Sequence, residues 1–117
     1  FLSYPPTLTV GEALENIRRE AEDMDFAYYV YVIDADEHLL GMMSLRELLV
    51  SPPEGKLEDF MDTRIVSVNI EEDEKEIANM FAKYGVMAIP VVDDDERMMG
   101  VIIFRNILEI IAPHLGK

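Results

Sequence analysis

One pattern occurs twice in this chain, and that limits what it can fold into. Val32-Ile33-Asp34 leads to Gly41 and Arg46, and Val91-Val92-Asp93 leads to Gly100 and Arg105, with every matched pair 59 positions apart. Between these anchors each copy runs through an acidic turn, Asp34-Ala35-Asp36-Glu37-His38 or Asp93-Asp94-Asp95-Glu96-Arg97. Both turns then enter paired apolar residues, Leu39-Leu40 or Met98-Met99, and reach glycine. Half of a 117-residue chain buries too little surface to be comfortably stable alone. The duplication therefore predicts two similar units sharing one core, with a pseudo-twofold axis and two related clefts.

Charge narrows the partners. With 24 acidic against 10 basic residues the formal net charge is −14, so phosphate backbones and anionic lipid surfaces are repelled, and no nucleic acid is expected as a partner. Divalent cations are one means of relieving such self-repulsion. The apolar stretches, such as Met98 to Phe104, are far shorter than the ~18 residues of a membrane span, so the piece itself is not expected to insert into a bilayer. Without cysteine it has no disulfides and no thiolate metal sites.

Local signals place the elements. Thr9 with Glu12 forms a capping box, and Ala13, Leu14, Ile17 and Ala21 fall on one helical face behind it. Tyr28 to Ile33 reads as a strand and Leu39 to Met43 as its antiparallel partner, weakened by Gly41. Ser44-Leu45-Arg46-Glu47 is a second capping box, opening a short helix that stops before Pro52, and Ser51 to Gly55 reads as a linker. In the second copy Val66 to Val68 is a short strand. Asp73 caps a helix with an apolar face of Ile77, Met80, Phe81 and Tyr84, and strands Ala88 to Val92 and Met98 to Ile103 precede a last helix, Arg105 to Ala112. Each copy then reads helix, strand, strand, helix. The first copy carries about five extra residues, placed between Arg18 and Phe26.

A strand, an acidic turn, a glycine-bearing second strand and a short helix opened by Ser/Thr-x-x-acid together resemble the cystathionine-β-synthase (CBS) domain. Two in tandem resemble a Bateman module, and Ala88-Ile89-Pro90-Val91-Val92-Asp93 with Gly100-Val101-Ile102 is similar to the most recognisable stretch of that family. Leu8-Thr9-Val10-Gly11-Glu12-Ala13-Leu14, the insertion, Tyr28-Tyr29-Val30-Tyr31-Val32-Ile33-Asp34 and Ser44-Leu45-Arg46-Glu47-Leu48 are similar to the CBS pair of MgtE-type magnesium transporters. The resemblance implies an α+β fold of two CBS repeats, each a small sheet packed on two helices, with repeat 1 and its linker over residues 1–55 and repeat 2 over 56–117. It also implies a cytosolic regulatory domain of a plasma-membrane protein, homodimeric through its CBS pairs and attached to a membrane domain and an N-terminal helical domain. Such a domain senses intracellular Mg2+ and holds the pore closed when the ion is plentiful.

Two sites follow. Mg2+ takes oxygen ligands and sheds its water reluctantly, which suits carboxylates on facing surfaces, and Glu71, Glu72, Asp73, Glu74 and Glu76 form one acidic run, Asp93 to Glu96 another. Asp73 is the leading metal ligand, although as a helix N-cap it has a purely structural reading, as do Asp34 and Asp93 as turn formers. The second site, implied by the family, is an adenine-nucleotide (ATP) cleft: Glu47 takes the ribose hydroxyls beside Ser44, Arg46 meets phosphate, Tyr29 contacts the base and Ser67 lines the cleft from the other copy. The second copy reads Ile103-x-x-Asn106, which has lost hydroxyl and charge, so one nucleotide site at most is expected. The plain alternative is that Ser44 and Glu47 only cap a helix and Tyr29 is core. His38 and His114 do not suggest a catalytic pair, the methionines suit a core, and no nucleophile with its base or phosphate-cradling loop is present. No enzyme is expected. The alternatives to a Mg2+ sensor are a nucleotide-sensing CBS module on another enzyme or channel and a purely structural dimerisation module.

Overall fold

The computed structural model describes residues 1–20 and 29–111. These form two compact units, residues 1–65 and residues 66–117 by extent. In the first, strand β1 (Leu2–Tyr4) and helix α1 (Val10–Glu20) precede strands β2 (Tyr29–Ile33) and β3 (Leu39–Ser44), then helices α2 (Leu45–Val50) and α3 (Leu57–Phe60). The second holds strand β4 (Val68–Asn69), helix α4 (Glu74–Tyr84), strands β5 (Ala88–Val92) and β6 (Met98–Ile103), and helix α5 (Phe104–Ile111). Each sheet has three strands, in the order β1-β2-β3 and β4-β5-β6, with the first pair parallel and the second antiparallel.

The repeat extends to the backbone. Aspartate opens both hairpin turns: Asp34 Oδ1 accepts from the N–H groups of Asp36 and His38, and Asp93 Oδ1 from those of Asp95 and Arg97, all at 2.9 Å. A type I turn followed by one left-handed residue and a bulge is a favoured three-residue hairpin loop. Here the left-handed residues are Glu37 (φ 71°) and Glu96 (φ 63°), and the register shifts fall at Val32/Ile33 and Val91/Val92. An L-residue with a side chain is strained in that region by about 1 kcal/mol or more. Glu37→Gly is therefore expected to stabilise the chain by up to about 1 kcal/mol relative to Glu37→Gln, which makes the same charge change without relieving the backbone. Urea denaturation of the pair checks this, and equal midpoints would refute it.

The caps are formed as the sequence reads. Thr9 and Glu12 exchange side-chain and backbone hydrogen bonds at 3.1 Å, Ser44 and Glu47 do the same, and Asp73 Oδ1 accepts from the Glu76 N–H at 2.8 Å. Helices α1 and α4 start 64 positions apart while the hairpins are offset by 59, so the first copy has five more residues between helix and hairpin. The positions that carry this length, and Ala21 of the expected helical face, lie outside the described residues, as do Ala112, Pro113 and His114.

Each unit has its own core. Val30, Val32 and Met43 from one sheet face meet Val10, Ala13 and Ile17 of α1 and Leu48 of α2, and Leu2 and Tyr4 join through the parallel pairing with β2. Tyr4 also donates from its hydroxyl to Glu20 Oε2 at 2.7 Å, tying β1 to the end of α1. In the second unit Ile89, Val68, Ile77, Phe81 and Ile107 play these parts. The expected order of helix, strand, strand, helix needs two corrections. The extended lead is an edge strand, β1, and its counterpart β4 spans Val68–Asn69 rather than Val66 to Val68; both exist through pairing with a distant strand, which local pattern does not reveal.

The stretch from Pro53 to Asp62 is the other structural addition. Backbone N–H groups of Val10 and Gly11 donate to Gly55 and Pro53, Leu57 and Glu58 donate to Leu8 and Pro6, and Met42 and Asp62 exchange two bonds of 2.9 to 3.0 Å. Leu57 is fully buried in the first core. By contacts the units divide at residues 65/66.

Candidate functional site

The pleat of the first sheet sorts its residues. Val30, Val32 and Met43 point to the helices, so Tyr29 and Tyr31 with their cross-strand partners Ser44 and Met42 lie on the opposite face. Tyr29 is directly paired with Ser44, and Ser44 is the N-cap of α2, so a half-buried tyrosine, a hydroxyl and the Glu47 carboxylate are brought to one edge of the sheet. Arg46 and Glu47 are exposed. The carboxylate is turned back: Glu47 Oε1 accepts from the Ser44 N–H at 3.1 Å while Ser44 Oγ accepts from the Glu47 N–H. Both the capping role and the grouping with Tyr29 are thus realised in the same residues. Ser67 belongs to the second unit, half-buried just before β4.

Behind Tyr29 runs an aromatic row. The Tyr29 and Tyr31 rings are 6.4 Å apart at 57°, and Phe1 meets Tyr31 edge-on at 6.3 Å and 88°. The Tyr31 hydroxyl is buried without a hydrogen-bond partner, and burial pushes its pKa well above the ordinary phenol value. The second copy has no equivalent: the positions 59 along from Tyr29, Tyr31, Ser44 and Glu47 hold Ala88, Pro90, Ile103 and Asn106.

The acidic run is arranged differently. Glu71, Glu72, Asp73, Glu74 and Glu76 are all exposed, with Asp73 committed through Oδ1 to the first turn of α4. Asn69 joins this run to the second acidic turn, because its side chain accepts from the Glu71 N–H at 2.9 Å and donates to Asp94 Oδ1 at 2.8 Å. Among the described residues no three of these carboxylates converge; the one group of three ligand atoms within 4.8 Å of each other is Asp34, Asp36 and His38. The run fits an ion that keeps most of its water and takes one or two carboxylates at a time, as Mg2+ does, and does not fit a dehydrated cage.

The sequence reads Asp34 as a turn former and gives His38 no part in a site. The turn role stands, but the side chains also meet: His38 Nδ1 lies 3.0 Å from Asp34 Oδ2, and the His38 N–H above all holds the Asp34 carboxyl below its usual pKa. The signal available was the i, i+2, i+4 spacing of Asp, Asp and His, which only the left-handed residue at position 37 folds into a cluster.

Known proteins match this architecture. The chain is 35% identical over 104 residues, 89% of its length, to the magnesium transporter MgtE of Thermus thermophilus, and it spans 23% of that relative's length. A crystal structure of the soluble part of a magnesium transporter superposes with a TM-score of 0.92 at 31% identity, over 97% of this chain and 44% of that one. The cytosolic domain of the Mg2+ channel MgtE in complex with ATP gives 0.90 at 32% identity, over 95% of this chain and 45% of that one. The family model for the CBS domain matches residues 1–53 and again 57–113. With two matches over nearly its whole length and the same three-stranded unit built twice, the chain belongs to the CBS-domain family, as a tandem pair of CBS domains.

Proposed function

We propose that this CBS pair is the regulatory domain of an MgtE-type magnesium transporter, positioned on the cytoplasmic side of a plasma-membrane protein, and that it senses Mg2+ and gates transport. The domain acts as a homodimer joined to a membrane domain and an N-terminal helical domain, and it is not an enzyme. The observation that carries this reading is the superposition of 97% of the chain on the soluble part of a magnesium transporter, with a TM-score of 0.92. Charge supplies the physical mechanism. Exposed carboxylates on Glu71, Glu72, Asp73, Glu74 and Glu76 repel any acidic surface brought against them, by about 1 kcal/mol per pair in water and more at lower effective dielectric. Mg2+ between the surfaces reverses that sign and favours the compact, pore-closing arrangement.

The test is the thermal midpoint across a MgCl2 titration, with NaCl at matched ionic strength. A native state that binds Mg2+ gains about 2.7 kcal/mol per site at a hundredfold excess over Kd, so the midpoint is expected to rise beyond the salt control. Replacing the five acids by Asn or Gln is expected to remove the excess. Superimposable Mg2+ and Na+ series would overturn the reading.

The grouping of Tyr29, Ser44, Arg46 and Glu47 favours a second ligand, an adenine nucleotide such as ATP, bound in the first copy. Glu47→Ala is expected to weaken ATP binding in calorimetry by roughly tenfold, the worth of one or two hydrogen bonds. Equal affinities would remove Glu47 from the site.

A further inference from the structure

A buried hydroxyl with no partner is destabilising relative to one that is bonded, and phenylalanine would avoid that cost in the same space. Tyr31 is 2% exposed, and its hydroxyl is the sole side-chain polar atom buried without a partner among the described residues. Packing alone explains the ring, which Phe1 meets edge-on and Tyr29 flanks. It does not explain the oxygen.

The location adds a direction. Tyr31 is two residues along β2 from Tyr29, a step of about 6.6 Å on the same sheet face, and this is the face on which Tyr29 is paired with Ser44. The Tyr29 phenol is close enough to contribute, after burial, to the upward shift of the Tyr31 pKa. The corresponding face of the second copy presents Ala88 and Pro90, so the unused hydroxyl occurs in the copy that also keeps Ser44 and Glu47. For a ligand that contacts Tyr29 on this face, Tyr31 is the next side chain along β2.

We infer that the Tyr31 hydroxyl is a specificity group of the nucleotide site, left unpaired in the free domain and hydrogen-bonded to the polar edge of a purine base when the nucleotide binds. The inference rests on the second, nucleotide reading above. Binding must uncover the hydroxyl, which is buried in the free domain.

The experiment is ATP calorimetry and thermal denaturation on the 117-residue chain and its Tyr31→Phe variant. The variant is expected to keep or raise the thermal midpoint without ligand and to bind ATP about 3- to 10-fold more weakly, the range of one neutral hydrogen bond. A purely structural hydroxyl, bonded for instance to a buried water, would instead lower the midpoint on substitution and leave the affinity unchanged, and that result overturns the inference. Parent and variant binding ATP equally, with Glu47→Ala impaired, overturns it while the nucleotide reading stands. Failure of the parent to bind ATP overturns both.

Discussion

Leu57→Ala is expected to destabilise the chain by about 2–5 kcal/mol, the range for emptying a fully buried leucine site. Leu57 is 0% exposed and packs in the first core with Val10, Ala13, Met43 and Leu48, while its N–H donates to Leu8 O at 2.9 Å. The site has little means of collapsing, because the flanking backbone is fixed by bonds from Val10 to Gly55 and from Glu58 to Pro6. Against a typical total stability of ~5–15 kcal/mol such a loss is large. Leu49→Ala is the control: that side chain is 72% exposed at the end of α2, and its removal is expected to change stability by no more than about 0.5 kcal/mol. Chemical denaturation of the two variants decides. A cost below about 1 kcal/mol for Leu57 would mean that residues 53–62 are not held on the first unit. The same packing predicts that a fragment ending at Gly55 leaves the first core open, whereas one ending at Ile65 closes it.

Gly41→Val and Gly100→Val are expected to act in opposite directions although the two glycines are equivalent in the repeat. Each pairs with a valine of the core-facing side, Val32 buried in the first core or Val91 packed against the second, so an added side chain points toward the helices. At Gly41 a Cβ would lie 2.5 Å from Met61 Sδ and 3.1 Å from the Asp62 carbonyl, the group that bonds Met42. The methionine can swing aside, but the carbonyl is held in a two-way bridge, so a cost of about 1–3 kcal/mol is expected from overpacking. At Gly100 no described atom lies within 4 Å of the added Cβ, and a β-branched residue suits a strand better than glycine by up to ~1 kcal/mol. Stability should therefore rise or hold there. Equal losses at both positions would show that the glycines serve the turn and not the approach of residues 61 and 62.

These cases also show where sequence reasoning ran out. Gly41 looked like a weakness in a strand, when it is the space that Met61 and Asp62 occupy, and nothing near it in sequence distinguishes it from Gly100. Residues 56–65 read with the second repeat because Ser51 to Gly55 has a linker's composition, and the second CBS match likewise opens at residue 57; the sequence does not show that Leu57 and Met61 also pack in the first core. Among the site residues, Ser44 with Glu47 is legible as a capping box and Tyr29 joins them in the sequence only through the family resemblance; the register that pairs Tyr29 with Ser44 is a finding of the structure. The lone hydroxyl of Tyr31 was not legible, since hydrogen-bond satisfaction depends on every neighbour a side chain meets. The spread of the acids from Glu71 to Glu76 was equally hidden, because helix and turn geometry set how far such side chains stand apart.

The sequence by itself determined the duplicated hairpins, the three capped helices and the sheet alternation that separates a tyrosine face from an aliphatic one. Those features rest on interactions spanning four residues or fewer, or on a period of two, so they are written in adjacent letters. The tertiary structure decided the parallel edge strands, the docking of Leu57, the different surroundings of two equivalent glycines and the burial of the Tyr31 oxygen. Each of these joins residues far apart in sequence, and contacts of that kind are chosen by the packing of the whole unit, which no local pattern encodes.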